Sequence, residues 1–201
     1  GVFGGVGAGA YNQVWFNNGN GDFSDSGQTL GVDTKTRSVV VGDLDGDGDL
    51  DVVTGNTDGA YNQVWENIDG QGNFASLSTF SANYTEDLVL GDLDGDGDLD
   101  LVEGNGNYAN SPNQVWLNDG NAGFTPGYSF TQDYDTLNLA LADVDADGDL
   151  DLLEGTSDYH DSPNDPNLLW LNDGSGNFSA AQDIGITEGY ATRVAWGDLD
   201  G

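Results

Sequence analysis

The chain has 201 residues, of which 36 are acidic and three are basic, so its formal net charge is −33. Such a negative surface repels nucleic-acid phosphates and anionic membranes, which excludes both as partners, and no apolar run is long enough to insert into a bilayer. The chain contains no cysteine, which excludes a disulfide framework, and its regularly spaced aromatic and aliphatic residues exclude a disordered acidic tail.

Tryptophan-containing segments recur along the chain and define a repeat. They read NQVWFN at 12–17, NQVWEN at 62–67, NQVWLN at 113–118 and NLLWLN at 167–172, and each is followed by a turn and an aromatic residue. Short apolar runs bounded by Asn, Gly and Asp are typical of β-strands. One tryptophan per repeat at a strand position predicts core packing between neighbouring units rather than a platform for stacking sugars. These tryptophans are Trp15, Trp65, Trp116 and Trp170.

Each repeat spans roughly fifty residues and reads as four short strands. In the second unit, the strands are expected near 38–43, 50–54, 62–67 and 73–80. Four-stranded units at this period, without a long helical apolar stripe, predict an all-β fold: a β-propeller built of four-stranded blades. The predicted units are a partial blade at 1–32, complete blades at 36–82, 87–133 and 136–183, and strand 1 of a further blade at 191–201.

An acidic loop lies between the first two strands of each complete unit. GDLDGDGDLD occurs at 42–51 and again at 91–100, and ADVDADGDLD occurs at 142–151. Crowded carboxylates repel one another, whereas a hard divalent cation such as Ca²⁺ takes six to eight oxygen ligands and reverses that cost. The loops therefore predict calcium sites. The acids at positions 1, 3, 5, 7 and 9 are Asp43, Asp45, Asp47, Asp49 and Asp51; Asp92, Asp94, Asp96, Asp98 and Asp100; and Asp143, Asp145, Asp147, Asp149 and Asp151, while Asp198 and Asp200 match positions 1 and 3 of a further loop.

Two of these loops also fit the EF-hand pattern, with Glu103 and Glu154 at position 12. An EF-hand requires flanking helices, and the flanking sequences are an apolar strand on one side and Gly- and Asn-rich turns on the other. The first loop has Thr54 at position 12, so the repeat does not require the glutamate. We therefore expect the loop to be the hairpin connection between strands 1 and 2. A nonapeptide calcium coil is excluded by the long period.

The combined unit, W-x-N-D-G-x-G-x-F followed by L-G-D-L-D-G-D-G-D-L-D-L-V-x-G-N, resembles the FG-GAP/VCBS repeat of integrin-like β-propellers. The resemblance covers the whole chain, although the Gly-Ala-Pro element of the integrin version is absent. It implies that carboxylates at positions 1, 3, 5 and 9 of each loop bind Ca²⁺ together with the backbone carbonyl of position 7. The carbonyl ligands would then belong to Asp49, Asp98 and Asp149.

The connection between strands 2 and 3 varies in length while the rest of the unit stays constant. The spacing from the strand-2 glycine to the next tryptophan is 10 residues twice, then 12, then 15. Variable loops on a rigid scaffold commonly carry recognition, with length drift free of function as the alternative. The longer loops predict a binding site for a polar partner, a glycan or another protein, at Asn107, Tyr108, Asn110, Tyr159, His160 and Asp161.

The sequence favours a binding protein over an enzyme. One histidine excludes catalytic triads and clustered-histidine zinc sites, and the conspicuous acids belong to the loops, so no separate acid/base pair stands out. The first expectation is an extracellular calcium-binding propeller that recognises a glycan or protein in adhesion. A structural subunit of a surface layer or filament is the alternative, and a catalytic propeller is a third.

The location and the extent of the array rest on further expectations. Cytosolic calcium is too scarce to fill sites of extracellular-module affinity, so an extracellular location is expected, with the salt-rich cytosol of a halophile as the competing explanation. The sequence starts within strand 2 of one unit and stops after strand 1 of another. It is therefore expected to be a window on a longer chain. Alternatively, its two ends complete one unit within a chain or link copies head to tail.

Overall fold

The computed structural model describes residues 11–31, 35–106, 111–131, 134–157, 166–179, 182–185 and 193–197. Within these ranges the chain forms fourteen β-strands and no α-helix, which confirms the all-β prediction. A helix long and apolar enough to cross a membrane is accordingly not found in the described part.

The strands form four antiparallel sheets, and the strands follow chain order within each sheet. β1 (Asn12–Asn17) and β2 (Phe23–Leu30) form the N-terminal hairpin. Sheet I contains β3 (Thr36–Gly42), β4 (Asp51–Asn56), β5 (Asn62–Asn67) and β6 (Phe74–Phe80). Sheet II contains β7 (Thr85–Gly91), β8 (Asp100–Asn105), β9 (Gln114–Asn118) and β10 (Phe124–Ser129). Sheet III contains β11 (Asp135–Ala142), β12 (Asp151–Ser157), β13 (Leu168–Trp170) and β14 (Gln182–Asp183).

Some strands begin earlier than their apolar runs predict. β7 begins at Thr85, before the expected unit start at 87, because backbone pairing already starts where Thr85 lies opposite Asn105. β11 likewise begins at Asp135, opposite Ser157, rather than at 136. The polar residues at these strand starts belong to the ladder although they carry no apolar signal.

Neighbouring sheets stack through a glycine in the second strand of each sheet. A Cβ atom at Gly55 would lie 2.9 Å from Cγ2 of Thr85 and 3.1 Å from Cδ1 of Leu88. Both residues lie on β7, the first strand of the next sheet. A Cβ atom at Gly104 would meet Leu139 at 3.1 Å in the same way. Only glycine allows this approach of backbone to side chain. The contact recurs between Gly155 and Val194, so 193–197 occupies the first-strand position after sheet III.

The core lies between the stacked sheets and contains most of the repeated tryptophans. Trp170 is fully buried, with its ring centroid 4.9 Å from that of Phe130, and Trp116 packs at 5.1 Å against Phe80. Trp65 is also buried. The prediction of core packing is wrong for Trp15, which is 41 % exposed. Among the described strands β1 pairs only with β2, whereas the strands that carry Trp65, Trp116 and Trp170 are each flanked by two strands.

Candidate metal centres

Each acidic loop is the hairpin connection between the first two strands of its sheet, as the sequence predicts. The closing pairs of the three hairpins are Gly42 with Asp51, Gly91 with Asp100, and Ala142 with Asp151. Position 9 of each loop is thereby also the first residue of the second strand. The pairing fixes that aspartate on the ladder while the preceding positions form the loop.

In every loop three carboxylates converge. Each of the three residues offers an oxygen, and the three oxygens of a loop all lie within 4.8 Å of one another. The groups are Asp43, Asp45 and Asp51; Asp92, Asp94 and Asp96; and Asp143, Asp145 and Asp151. Oxygen donors in this number and charge fit a hard divalent cation.

The position-1 carboxylate is held by the loop's own backbone. Asp43 accepts hydrogen bonds from the amides of Gly46 and Gly48 at 2.9 and 3.0 Å. Asp92 makes the equivalent bonds in the second loop. At position 6, Gly48 has a φ of 93°, a conformation that side chains disfavour, so this glycine is needed for the loop to close around the first aspartate.

The position-9 carboxylate is the most buried acid of the loop. Asp100 is fully buried and accepts amide hydrogen bonds from Leu93 and Asn118, both at 2.9 Å. Burial raises the pKa of Asp100, and of the equivalent Asp51, while the two amide hydrogen bonds partly offset the rise. The same pair of amide bonds holds Asp51 and Asp151. This carboxylate is therefore fixed in place before any ion binds.

The predicted ligand set is only partly gathered in any one loop. In the second loop, Asp96 at position 5 joins the cluster and the buried Asp100 at position 9 lies outside it. In the other two loops position 9 joins the cluster, and Asp47 and Asp147 at position 5 lie outside it. All three position-5 carboxylates cap the amide of position 7, so capping does not explain the difference. We find no physical reason for it in the described contacts.

The side chains at position 7 turn away from the converging carboxylates and contact the turn between strands 3 and 4. A Cβ atom at Gly120 would lie 2.5 Å from Oδ2 of Asp98, and one at Gly174 would lie 2.5 Å from Oδ2 of Asp149. Asp49 contacts Gly70 in the same way. The side chains of position 7 thus fasten the loop to its own sheet, and their backbone carbonyls remain the predicted ligands.

The position-12 glutamates are not part of the acidic clusters. Glu103 is fully buried between sheets I and II, where it accepts hydrogen bonds from Asn62 of the preceding sheet at 3.0 Å, Thr85 at 2.8 Å and the Trp116 indole at 2.9 Å. Glu154 repeats this arrangement between sheets II and III. In sheet I, the Trp65 indole instead meets Thr54 at 3.4 Å. The structure therefore also excludes an EF-hand, because the position-12 glutamates do not face the acidic loops.

An asparagine at the end of strand 3 joins the acidic loops of neighbouring sheets. Asn118 donates its side-chain amide to the carbonyl of Leu44 in the first loop at 2.9 Å and to that of Leu99 in the second at 3.2 Å. Asn172 makes the same link from Leu93 to Leu150. These asparagines were visible in the sequence only as strand ends. Their repetition after each tryptophan was the available signal.

Several predicted site residues lie outside the described ranges. They comprise Asp198 and Asp200 of the further loop, and all six residues predicted for ligand recognition, namely Asn107, Tyr108, Asn110, Tyr159, His160 and Asp161. For these residues the sequence prediction stands untested by the structure.

Comparison with protein families agrees with the repeat seen in the structure. The model of the FG-GAP-like repeat matches residues 2–54, 45–103 and 104–154. No curated protein matches the chain significantly. The matched segments carry all three acidic loops and the strands on either side of them. The chain therefore belongs to the FG-GAP-like repeat family.

Proposed function

We propose that the chain is an extracellular calcium-binding β-propeller repeat protein that recognises a glycan or protein in adhesion, without a catalytic role. The observation that carries the proposal is the recurrence of one site: three loops in three stacked sheets each converge three carboxylates. A single acidic cluster on a surface is common. Three clusters at the same place in three sheets, two of which include a buried position-9 aspartate, support a shared ligand.

The chemistry of the donors favours calcium over other metals. The clusters consist of carboxylates and include no nitrogen or sulfur ligand, as suits hard cations rather than Zn²⁺ or Cu²⁺. Ca²⁺ tolerates irregular geometry and additional backbone carbonyls, whereas Mg²⁺ requires a near-ideal octahedron. When bound, the ion supplies positive charge that offsets the repulsion among the loop's acids.

The propeller architecture is supported by the uniform stacking of the sheets. The third strand of a unit is β1 in the N-terminal hairpin, β5 in sheet I and β9 in sheet II. At or just before each of these strands, an asparagine side chain donates to a threonine hydroxyl of the next sheet: Asn12 to Thr36 at 2.8 Å, Asn62 to Thr85 at 2.9 Å, and Asn113 to Thr136 at 2.8 Å. The N-terminal hairpin thus joins sheet I as sheet I joins sheet II. A constant step between four-stranded units is the geometry from which propellers are built.

Calcium titration of the whole chain, followed by calorimetry, tests the metal sites. We expect at least three bound ions. The variant Asp45→Asn/Asp94→Asn/Asp145→Asn should lose most of the binding, because each change removes a carboxylate of one cluster. A matched control, Asp22→Asn/Asp25→Asn/Asp183→Asn, removes the same charge from exposed acids outside the loops and should bind normally. Equal loss in both variants would mean that bulk charge, not a site, attracts the ion.

A structural role in head-to-tail assembly is the second candidate. Val39, Val41 and Leu50 of sheet I are exposed, whereas their counterparts in sheets II and III pack against glycines of the preceding sheet. Another copy could cover this face through a heterologous contact. Sedimentation velocity over a concentration series in calcium decides between the roles: growing oligomers favour assembly, and a constant monomer favours recognition.

A further inference from the structure

A large cavity lies where the first strands of all three sheets begin. It has a volume of about 700 Å³, within the range of ligand-binding pockets. The N-terminal hairpin, β3, β7, β11 and Arg193 all contribute to its walls. The acidic loops follow the other ends of these strands, so Arg37 and Asp43 are about 20 Å apart along β3. The arginine end of the cavity is therefore separate from the candidate metal centres, while Val41 and Val52 line the end nearer the first loop.

Both arginines of the chain line the cavity, beside two acids, Glu86 and Asp87. Lys35, Arg37 and Arg193 are the only basic residues in the sequence, and both arginines line the cavity. Arg37 lies 3.7 Å from Glu86, which partly offsets its charge. Among the described residues, no carboxylate forms an ion pair with Arg193. Arg193 thus offers a guanidinium that no carboxylate of the described residues neutralises.

The nearest acid on the same row of residues is already satisfied. Five residues before each acidic loop, the first strands carry Ser38, Asp87, Asn138 and Arg193 in turn. Asp87 accepts hydrogen bonds from the Ser38 hydroxyl at 2.9 Å and the Asn138 amide at 2.7 Å. It also accepts one from the amide of Leu139 at 3.0 Å. Because three donors serve this carboxylate, it does not need Arg193 as a partner.

The remaining walls suit a sugar. Trp15 lines the cavity and is 41 % exposed, so its indole face is accessible for stacking. Gln13 is exposed beside it and offers amide groups to hydroxyls, while Val39 and Val41 supply apolar surface. An aromatic face with a few polar groups around it fixes the orientation of a ring, and arginine matches a carboxylate with two parallel hydrogen bonds.

We infer that this cavity binds an acidic saccharide, with a sugar ring on Trp15 and the ring's carboxylate on Arg193, assisted by Arg37. The inference specifies the ligand class of the recognition role proposed above and rests on it. The negative charge nearby does not prevent such binding, because Glu86 is paired with Arg37 and Asp87 accepts three hydrogen bonds from the protein. The acidic loop after β3 lies about 20 Å from Arg37, beyond the screening length of about 8 Å at physiological ionic strength.

Isothermal titration of the full chain in saturating calcium tests this inference. The probe is a hyaluronan tetrasaccharide, in which glucuronate alternates with N-acetylglucosamine. Its carboxyl-reduced form serves as the neutral counterpart. We expect the acidic form to bind and the reduced form to bind at least about tenfold more weakly, since a charge-assisted hydrogen bond is lost. Equal affinity for the two forms, or no heat with the acidic form at millimolar concentration, overturns the inference.

Variants identify the residues responsible. Arg193→Gln should weaken binding of the acidic form about tenfold, and Arg37→Gln less, because Glu86 already engages Arg37. Lys35→Gln is the matched control, since Lys35 pairs with Asp58 outside the cavity. An equal loss in Lys35→Gln and Arg193→Gln would show that net charge alone is responsible and would refute the site.

The same samples separate this inference from the proposed function. Calcium binding is measured first on each protein, without saccharide. Intact calcium binding with no saccharide binding contradicts only the cavity assignment. Failure of the unaltered chain to bind calcium contradicts the proposed function. Self-association that rises with concentration, together with no saccharide binding, assigns the cavity face to another copy and also overturns the inference.

Discussion

At the scale of single residues, Glu154 shows how the stacked sheets accommodate an acid. It lies between sheets II and III, where Asn113, Thr136 and the Trp170 indole all donate to it. Burial nevertheless raises the pKa of Glu154 above its ordinary 4.5, and the three hydrogen bonds only partly compensate. The carboxyl group therefore fits the fold best when protonated.

The raised pKa of Glu154 sets the sign of a pH dependence. As pH rises above 4.5, the unfolded chain releases this proton before the folded chain does, so the contribution of Glu154 to stability falls with pH. Urea unfolding measures the free energy of unfolding of the original chain and of the Glu154→Gln variant. The value for the original chain minus that for the variant should decline between pH 4.5 and neutrality. A flat difference for Glu154→Gln would contradict the assigned burial.

Substitution by alanine should lower stability to different extents at two glycines. Gly46 at position 4 of the first loop has a φ of 75° and open space around it, and the third loop already carries Ala146 at a φ of 62°. Gly120 has a φ of 72°, and a Cβ atom there would lie 2.5 Å from Oδ2 of Asp98. We expect Gly46→Ala to cost about 1 kcal/mol, the left-handed penalty alone. Gly120→Ala should cost more, because Asp98 must also move away from the added methyl group.

Chemical denaturation of the two variants in calcium measures this difference. The two losses of stability are compared with each other, because both substitutions add one methyl group at a similar φ. Equal losses would show that Asp98 moves freely away from the turn. Position 7 would then not fasten the loop to its sheet.

At the scale of elements, Asn118 connects the acidic loops of sheets I and II. Its side chain bonds to the carbonyls of Leu44 and Leu99, one in each loop. Asn118→Ala removes both bonds and should cost about 1–3 kcal/mol, because two buried carbonyls lose a donor. It should also reduce cooperativity between the first two calcium sites, seen as a lower Hill coefficient in titration.

Asn67 provides the matched control for this link. It occupies the same position in sheet I and also donates its backbone amide to the position-9 aspartate. Its side chain accepts a hydrogen bond from Gly72 within its own sheet. Asn67→Ala should therefore lower stability without changing cooperativity between loops. Unchanged cooperativity in Asn118→Ala would contradict the connecting role.

The sequence predicted the strands and the acidic loops, but not the contacts between sheets. Strands were placed well wherever apolar residues alternated with turns, and the acidic loops were found because the motif repeats. The exposure of Trp15 was missed, since identical letters at 15 and 65 conceal different neighbours. The buried role of Glu103 was missed because its partners Asn62 and Trp116 lie on other strands, one of them in another sheet. Contacts between sheets are not encoded in local spacing.

At the scale of the whole molecule, charge and fold depend on the same loops. A net charge of −33 opposes compaction, and the densest repulsion lies in the three acidic hairpins. Three bound calcium ions would cancel six of these charges where they are closest. Because the hairpins also join the first two strands of sheets I, II and III, releasing the ions should loosen all three together.

Differential scanning calorimetry in dilute buffer, with and without calcium, measures whether bound ions hold the sheets together. A thousandfold excess of ligand over Kd stabilises by about 4 kcal/mol per site, so calcium should raise Tm by about 10 °C or more over the value in EGTA. Sodium chloride at much higher concentration should give only a small part of that rise, because screening does not replace ligands inside a loop. The same Tm in EGTA and in calcium, or full recovery with sodium alone, would show that bound calcium does not hold the sheets together.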